Sequence, residues 1–148
     1  MRQRARRGEA IVSSMDLCTS VLVRWLDAGD RGDVDAFDAL LHPDAVVHAP
    51  RGLSTDSRDA EKQVWLDAIA AMPDLRHEVQ EVVAEGAVEM ARVVVSGALH
   101  RDFAGVRGRG RSFRMDQAVI CHLRDEPQAR ASPTRTPTKA ACYRRCRA

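Results

Sequence analysis

The first half of the chain carries apolar residues at the three- and four-residue spacing of amphipathic helices. Residues 15–26 form one such stripe, and residues 28–32 end it with glycine at the C-terminal side. Asp33 can cap a second, short helix whose apolar positions lie within residues 34–41. A third apolar stripe within residues 60–70 precedes a proline. The pattern therefore predicts three helices before the middle of the chain.

The rest of the chain follows the two-residue period of strands. Residues 45–49 predict a short strand between the second and third helices. Three long strands are predicted over residues 75–84, 88–103 and 111–123, separated by glycine-containing turns. Helices followed by a run of strands indicate an α+β fold, with a curved, mostly antiparallel sheet and helices packed on one face.

Composition divides the chain into three parts. Residues 1–14 are basic and lack a pattern, which predicts a disordered leader, whereas residues 15–125 suit one domain with one core. Residues 126–148 hold three of the six prolines and almost no aliphatic side chains, so they cannot bury enough surface to fold. This tail is expected to be either disordered or the product of a shifted reading frame.

The charge distribution and the low aromatic content limit the kinds of molecule that the chain is expected to bind. The chain has 23 basic and 21 acidic residues, and the basic excess lies in the two tails. Aromatic residues make up only 4%, which gives no platform for stacking bases, so the basic segment 107–111 is interpreted as a solvated turn. No apolar run is long enough to span a membrane. We therefore expect a cytoplasmic protein that binds neither nucleic acid nor a membrane.

The cysteines and histidines do not predict a metal site. Cys18 and Cys121 lie in apolar patterns and are expected to be small core residues with reduced thiols. Cys142 and Cys146 lie in the Arg-rich tail, where they would make a poor zinc site. The histidines have none of the spacings typical of metal-binding motifs.

Two titratable residues stand out on neighbouring strands. His100 lies near the end of one strand and Asp116 lies on the next, so an imidazole and a carboxylate could meet in one cavity as acid and base. Alternation puts Asp116 on the polar face of its strand and Met115 and Gln117 on the apolar face. Periodicity does not say which face is concave. Arg92 could pair with Asp116 across strands, which would lower the pKa of Asp116.

Several stretches carry a family resemblance. They read AGDRGDVDAFDALLHPDAVVHAP over residues 28–50, MPDLRHEV over 72–79, and GALH, FAG and GRSFRMD between residues 97 and 116. Together they resemble the SnoaL-like polyketide cyclases of the nuclear transport factor 2-like superfamily, over residues 16–125. The resemblance implies a cone-shaped barrel in which three helices and the curved sheet surround a deep apolar pocket.

The resemblance also implies a chemistry, the cofactor-free closure of a ring by intramolecular aldol condensation. On that basis Asp116 is the general acid/base, and His100 orients it or donates to a substrate oxygen. An apolar pocket suits this role, because desolvation raises the pKa of a carboxyl group. The remaining candidate substrate contacts are His48, Trp65, Arg92, Met115 and Gln117.

The sequence therefore predicts a cofactor-independent cyclase or isomerase that acts on a small, apolar, oxygenated molecule without a metal. A non-catalytic ligand-binding or dimerisation module of the same fold is the alternative, and a homodimer is compatible with the resemblance. An epoxide hydrolase ranks lower, because it needs two Asp and one Arg around a water, and only Asp116 with Arg92 or Arg114 is found. A hydroxylase-associated relative also ranks lower. The chain departs from the family pattern at residues 126–127, where the family continues its last strand.

Overall fold

A computed structural model describes residues 19–124 and the backbone of one further strand. The predicted leader, residues 1–14, lies outside the described residues. The helices are α1 (Val21–Asp30), a 3-10 turn (Val34–Ala36), α2 (Phe37–Leu40) and α3 (Arg58–Ala71). The strands are β1 (Arg76–Glu85), β2 (Val88–Leu99), β3 (Arg111–Arg124) and β4 (Lys139–Cys146).

The three predicted helices are present, and their apolar stripes form the core. In α1, Leu22, Trp25 and Leu26 are all buried, and the Ser20 hydroxyl caps the helix by accepting from the Val23 amide at 3.2 Å. The predicted cap of the second helix is confirmed, since the Asp33 carboxylate accepts from the Ala36 amide. Residues 15–18 of the predicted first helix lie outside the described residues.

The helices meet in an aromatic cluster. The rings of Trp25, Phe37 and Trp65 lie within 5.7–6.3 Å of one another, at the tilted and edge-on angles that aromatic pairs favour. Gly29 lies inside α1 against this cluster. A Cβ atom at position 29 would stand 2.3 Å from the Trp65 ring, so the absence of a side chain there lets α3 approach α1.

The strands form one antiparallel sheet in the order β1-β2-β3-β4, which confirms the predicted α+β class. Two strand predictions are wrong in extent. β2 ends at Leu99 rather than at residue 103, because the chain turns there and the His100 amide donates to the Ala71 carbonyl. Residues 45–49 form no strand; Val47 makes an isolated bridge with Thr55, and the left-handed residues Arg51 and Gly52 turn the chain back between them.

Within residues 126–148, which the sequence predicts to be disordered or the product of a shifted reading frame, Lys139–Cys146 forms a strand. This segment pairs along β3 from Gln117 to Arg124 as strand β4. Strand pairing satisfies backbone groups and does not require aliphatic side chains, which is why composition missed it. The rest of the predicted tail lies outside the described residues.

Cys121 is fully buried on β3, as predicted for a small core residue. The expectation that its thiol is reduced is wrong, because Cys121 is disulfide-bonded in the structure. The residue opposite Cys121 in the β3–β4 register is Cys142. The side chains of Cys142 and Cys146 are outside the described part, so the interpretation of this pair as a poor zinc site stays a prediction.

Candidate active site

A cavity of about 420 Å³ lies between α3 and the concave face of the sheet. This volume is in the range of small-molecule sites in proteins. Most of its wall is apolar, including Leu53, Val64, Ala68, Val95, Leu99 and Phe113. An apolar wall excludes water and strengthens the few polar interactions made inside the cavity.

The concave face of β3 is the apolar one. Phe113, Met115 and Gln117 line the cavity, whereas Asp116 does not. Consecutive strand residues point to opposite faces, so a strand that presents Met115 and Gln117 inward presents Asp116 outward. The expectation that Asp116 lies in the pocket is therefore wrong, and the strand alternation is the physical reason.

Asp116 and His100 are not brought together. The Asp116 side chain is 72% exposed, and its nearest ion-pair partner is Arg92, 3.7 Å away on the outer face of β2. Asp116 lies opposite Val94 in the register, so it stands about 20 Å along the sheet from His100. His100 is exposed after the end of β2 and does not line the cavity. The structure thus separates the two predicted catalytic groups.

Of the five predicted substrate contacts, three line the cavity and two do not. Trp65, Met115 and Gln117 line the cavity. Arg92 is on the outer face of the sheet, and His48 is exposed beside the cavity wall without lining it. Placement in the cavity agrees with the role predicted for the first three, and their part in binding stays a prediction.

A histidine that the sequence analysis did not single out lies in the cavity wall. His77, on β1, presents a side chain that is only 2% exposed. The Asp30 carboxylate, at the end of α1, holds it through two contacts of 2.6 Å, one to the Nδ1 atom and one to the backbone amide. A carboxylate accepts a proton from Nδ1, so neutral His77 carries its lone pair on Nε2. The Asp30–His77 pair is therefore arranged as a general base with an orienting carboxylate.

Glu61 is a second polar group in the wall, on α3, and only 2% exposed. Its two oxygens accept from the Trp65 indole Nε1 and the Thr55 hydroxyl, each at 2.9 Å. A buried carboxylate is tolerated when its lone pairs are occupied in this way. Glu61 thus positions Trp65 and ties α3 to the segment that contains Thr55.

Gln117 supplies an amide to the same cavity. The residue is 4% exposed, and its side chain makes no hydrogen bond to another of the described residues. Its Nε2 atom can therefore donate to a ligand oxygen. The cavity wall therefore presents an imidazole and an amide that can donate to an oxyanion.

Signals for two of the missed residues are present in the sequence. His77 alternates with Leu75 and Val79, so it lies on the inward face of a strand that otherwise places apolar residues there. Glu61 precedes Trp65 by four residues, which puts it on the buried side of α3. Asp30 could not be recognised as a functional residue from the sequence. It is 47 positions away from His77, and an aspartate at the end of a helix does not by itself indicate a role in a site.

No group of three or more His, Cys, Asp or Glu side chains able to hold a metal ion occurs among residues 19–124. In the same part of the chain no helix is long and apolar enough to cross a membrane.

Comparison with known proteins identifies the family. The model of the SnoaL-like polyketide cyclases matches residues 20–127. IdmH from Streptomyces antibioticus has 25% identity and a TM-score of 0.65, over 85% of this chain and 88% of IdmH. TsrD from Streptomyces laurentii has 19% identity and a TM-score of 0.67, over 89% of this chain and 90% of TsrD.

A SnoaL-like polyketide cyclase from Agrobacterium tumefaciens has 16% identity and a TM-score of 0.64, over 86% of this chain and 88% of that one. A search of curated protein sequences finds no match. The two less similar structures show the shared fold, and the family match covers most of the described residues. This chain belongs to the SnoaL-like polyketide cyclase family.

Proposed function

We propose that this chain is a cofactor-independent cyclase or isomerase that acts on a small, largely apolar, oxygenated molecule in the cavity. The observation that carries the proposal is His77, in the wall of a largely apolar cavity and held from behind by the Asp30 carboxylate. Family membership supports a polyketide-type substrate.

The proposed reaction begins when His77 Nε2 removes a proton from a carbon flanked by carbonyl groups. Asp30 stabilises the imidazolium that forms, and the Gln117 amide donates to the enolate oxygen. The enolate carbon then bonds to a second carbonyl carbon of the same molecule. The alkoxide left on that carbonyl takes the proton back from His77, which restores the neutral imidazole.

A model reaction that does not require the natural substrate tests whether His77 acts as a base. In 5-nitrobenzisoxazole, removal of one carbon-bound proton opens the ring to a coloured cyanophenolate, and the molecule is small enough for the cavity. The wild-type chain should catalyse this opening, and His77→Gln should lower the rate by about 100-fold or more. Asp30→Asn should lower it less, because the imidazole stays in place but loses its orienting charge.

Binding of N-phenyl-1-naphthylamine, followed by fluorescence, checks that each variant keeps its cavity. A His77→Gln rate equal to that of the wild type would contradict the assignment of the base. Tight binding of the naphthylamine without any ring opening by the wild type would favour the non-catalytic ligand-binding module instead.

A further inference from the structure

Four arginines line the same cavity as the apolar side chains. Arg51 comes from the loop before α3, Arg107 and Arg109 from the connection between β2 and β3, and Arg111 from the first position of β3. All four are exposed and still line the cavity, which places them at its opening to solvent.

The arginines at the opening have no carboxylate partner among residues 19–124. Among the other described arginines of β1 to β3, Arg92, Arg114 and Arg124 do have one and Arg76 does not. Arg92 lies near Glu81 and Asp116, and Arg114 lies 3.7 Å from Glu78. Glu61 is the one described carboxylate that lines the cavity, and its oxygens already accept from Trp65 and Thr55.

The connection that carries Arg107 and Arg109 folds back on itself and is held there by several hydrogen bonds to its backbone amides. Phe103 and Val106 form a bridge, and the Asp102 carboxylate accepts from the Gly108 amide at 2.9 Å. The amides of Arg109 and Gly110 both donate to the Leu99 carbonyl, at 3.0 and 2.7 Å.

Gly108 is required by this geometry. A Cβ atom there would stand 2.4 Å from the backbone of Arg101. The backbone beneath the arginines is therefore set before a ligand arrives, which lowers the entropy cost of binding one.

Like charges gathered at an apolar opening repel one another, and an anion bound there offsets that repulsion. Guanidinium groups match the geometry of a carboxylate and bind it through paired hydrogen bonds. We infer that the substrate has an apolar body that fills the cavity and a carboxylate at its outer end that these arginines bind. This inference rests on the proposed function and adds the charge of the substrate to it.

The test uses the full chain, with N-phenyl-1-naphthylamine as a neutral fluorescent reporter in the cavity. Decanoate and decan-1-ol then compete for the reporter, since they share an apolar chain and differ in the carboxylate. Wild type should bind decanoate about tenfold more tightly than the alcohol, and added salt should reduce that preference. The triple variant Arg107→Gln, Arg109→Gln, Arg111→Gln should lose the preference and keep its affinity for the alcohol.

A second triple variant controls for net charge. It carries Arg24→Gln, Arg76→Gln and Arg101→Gln, three exposed arginines that do not line the cavity, and it should keep the wild-type preference for decanoate. Equal competition by decanoate and decan-1-ol in the wild type, or an equal loss of preference in both triple variants, would overturn the inference and leave the proposed function intact. Failure of the wild type to bind the reporter would overturn both.

Discussion

Gly29 is a position where one methyl group decides how two helices pack. Its missing side chain accommodates the Trp65 ring, which a Cβ atom would approach to 2.3 Å. Gly29→Ala should lower the free energy of unfolding by about 1–3 kcal/mol through overpacking. This loss should appear although alanine itself favours a helix by about 1 kcal/mol. Chemical denaturation measures the change.

The variant Trp65→Leu provides the control for that prediction. If the clash with the indole is the cause, adding Gly29→Ala to Trp65→Leu should cost little or nothing further, as a double-mutant cycle would show. Purely additive effects of the two substitutions would indicate a cause other than the ring.

Gln117 should matter for chemistry more than for binding. Gln117→Leu removes the proposed donor to the developing oxyanion, so the turnover of a carbonyl substrate should fall by about 100-fold. The affinity for N-phenyl-1-naphthylamine should stay the same or rise, because leucine keeps the wall apolar. Met90→Leu, at an exposed position of β2 outside the cavity wall, should leave both quantities unchanged, and an equal loss in the two variants would refute the donor role.

Sequence reasoning placed three of its seven candidate site residues in the cavity wall and missed the Asp30–His77 contact. The placement of Trp65, Met115 and Gln117 in the cavity follows from helical and strand periodicity together with the family resemblance. The Asp30–His77 contact does not follow from either, because it joins the end of α1 to the start of β1. Long-range contacts of this kind depend on how the helix docks on the sheet, which a local pattern does not contain.

At the level of elements, α1 is capped by a residue of the sheet. Glu89, on β2, is 7% exposed, and its carboxylate accepts from the Ser20 hydroxyl and the Leu22 amide at 2.9 Å and from the Val21 amide at 3.3 Å. A negative charge at a helix N-terminus also interacts favourably with the helix dipole. Glu89 thus fixes the start of the helix whose other end holds Asp30.

Glu89→Gln should therefore destabilise the chain by about 2–3 kcal/mol, because an amide nitrogen would face buried donors in place of an oxygen. Denaturant unfolding measures the loss. Glu85→Gln, at the exposed end of β1, is the matched control and should change stability little. Equal stability of the two variants would show that the cap contributes nothing.

Strand β3 shows what periodicity can predict and what it cannot. The two faces of β3 were separated correctly from the sequence, with Asp116 on one and Met115 and Gln117 on the other. Which face is concave depends on the side of the sheet that α3 covers. That choice is made by packing around Trp65 and Gly29 rather than by the strand itself.

At the scale of the whole molecule, β4 closes the open edge of β3 along Gln117–Arg124. An uncovered strand edge offers unpaired backbone groups to other chains. Deletion of residues 139–148 should therefore produce larger assemblies in light scattering and lower the unfolding free energy by about 2 kcal/mol or more.

Deletion of residues 147–148 alone leaves β4 in place and should preserve both properties. A chain without residues 139–148 that matches the full chain in assembly size and stability would show that β4 contributes nothing to the fold.

The most direct test of the whole account compares His77→Gln with Asp116→Asn in the opening of 5-nitrobenzisoxazole. The two residues lie on opposite faces of the sheet, one in the cavity wall and one 72% exposed beside Arg92. We expect His77→Gln to lower the rate by about 100-fold or more and Asp116→Asn to retain the wild-type rate. The reverse result, a rate lost with Asp116→Asn and kept with His77→Gln, would contradict the assignment of the cavity as the active site.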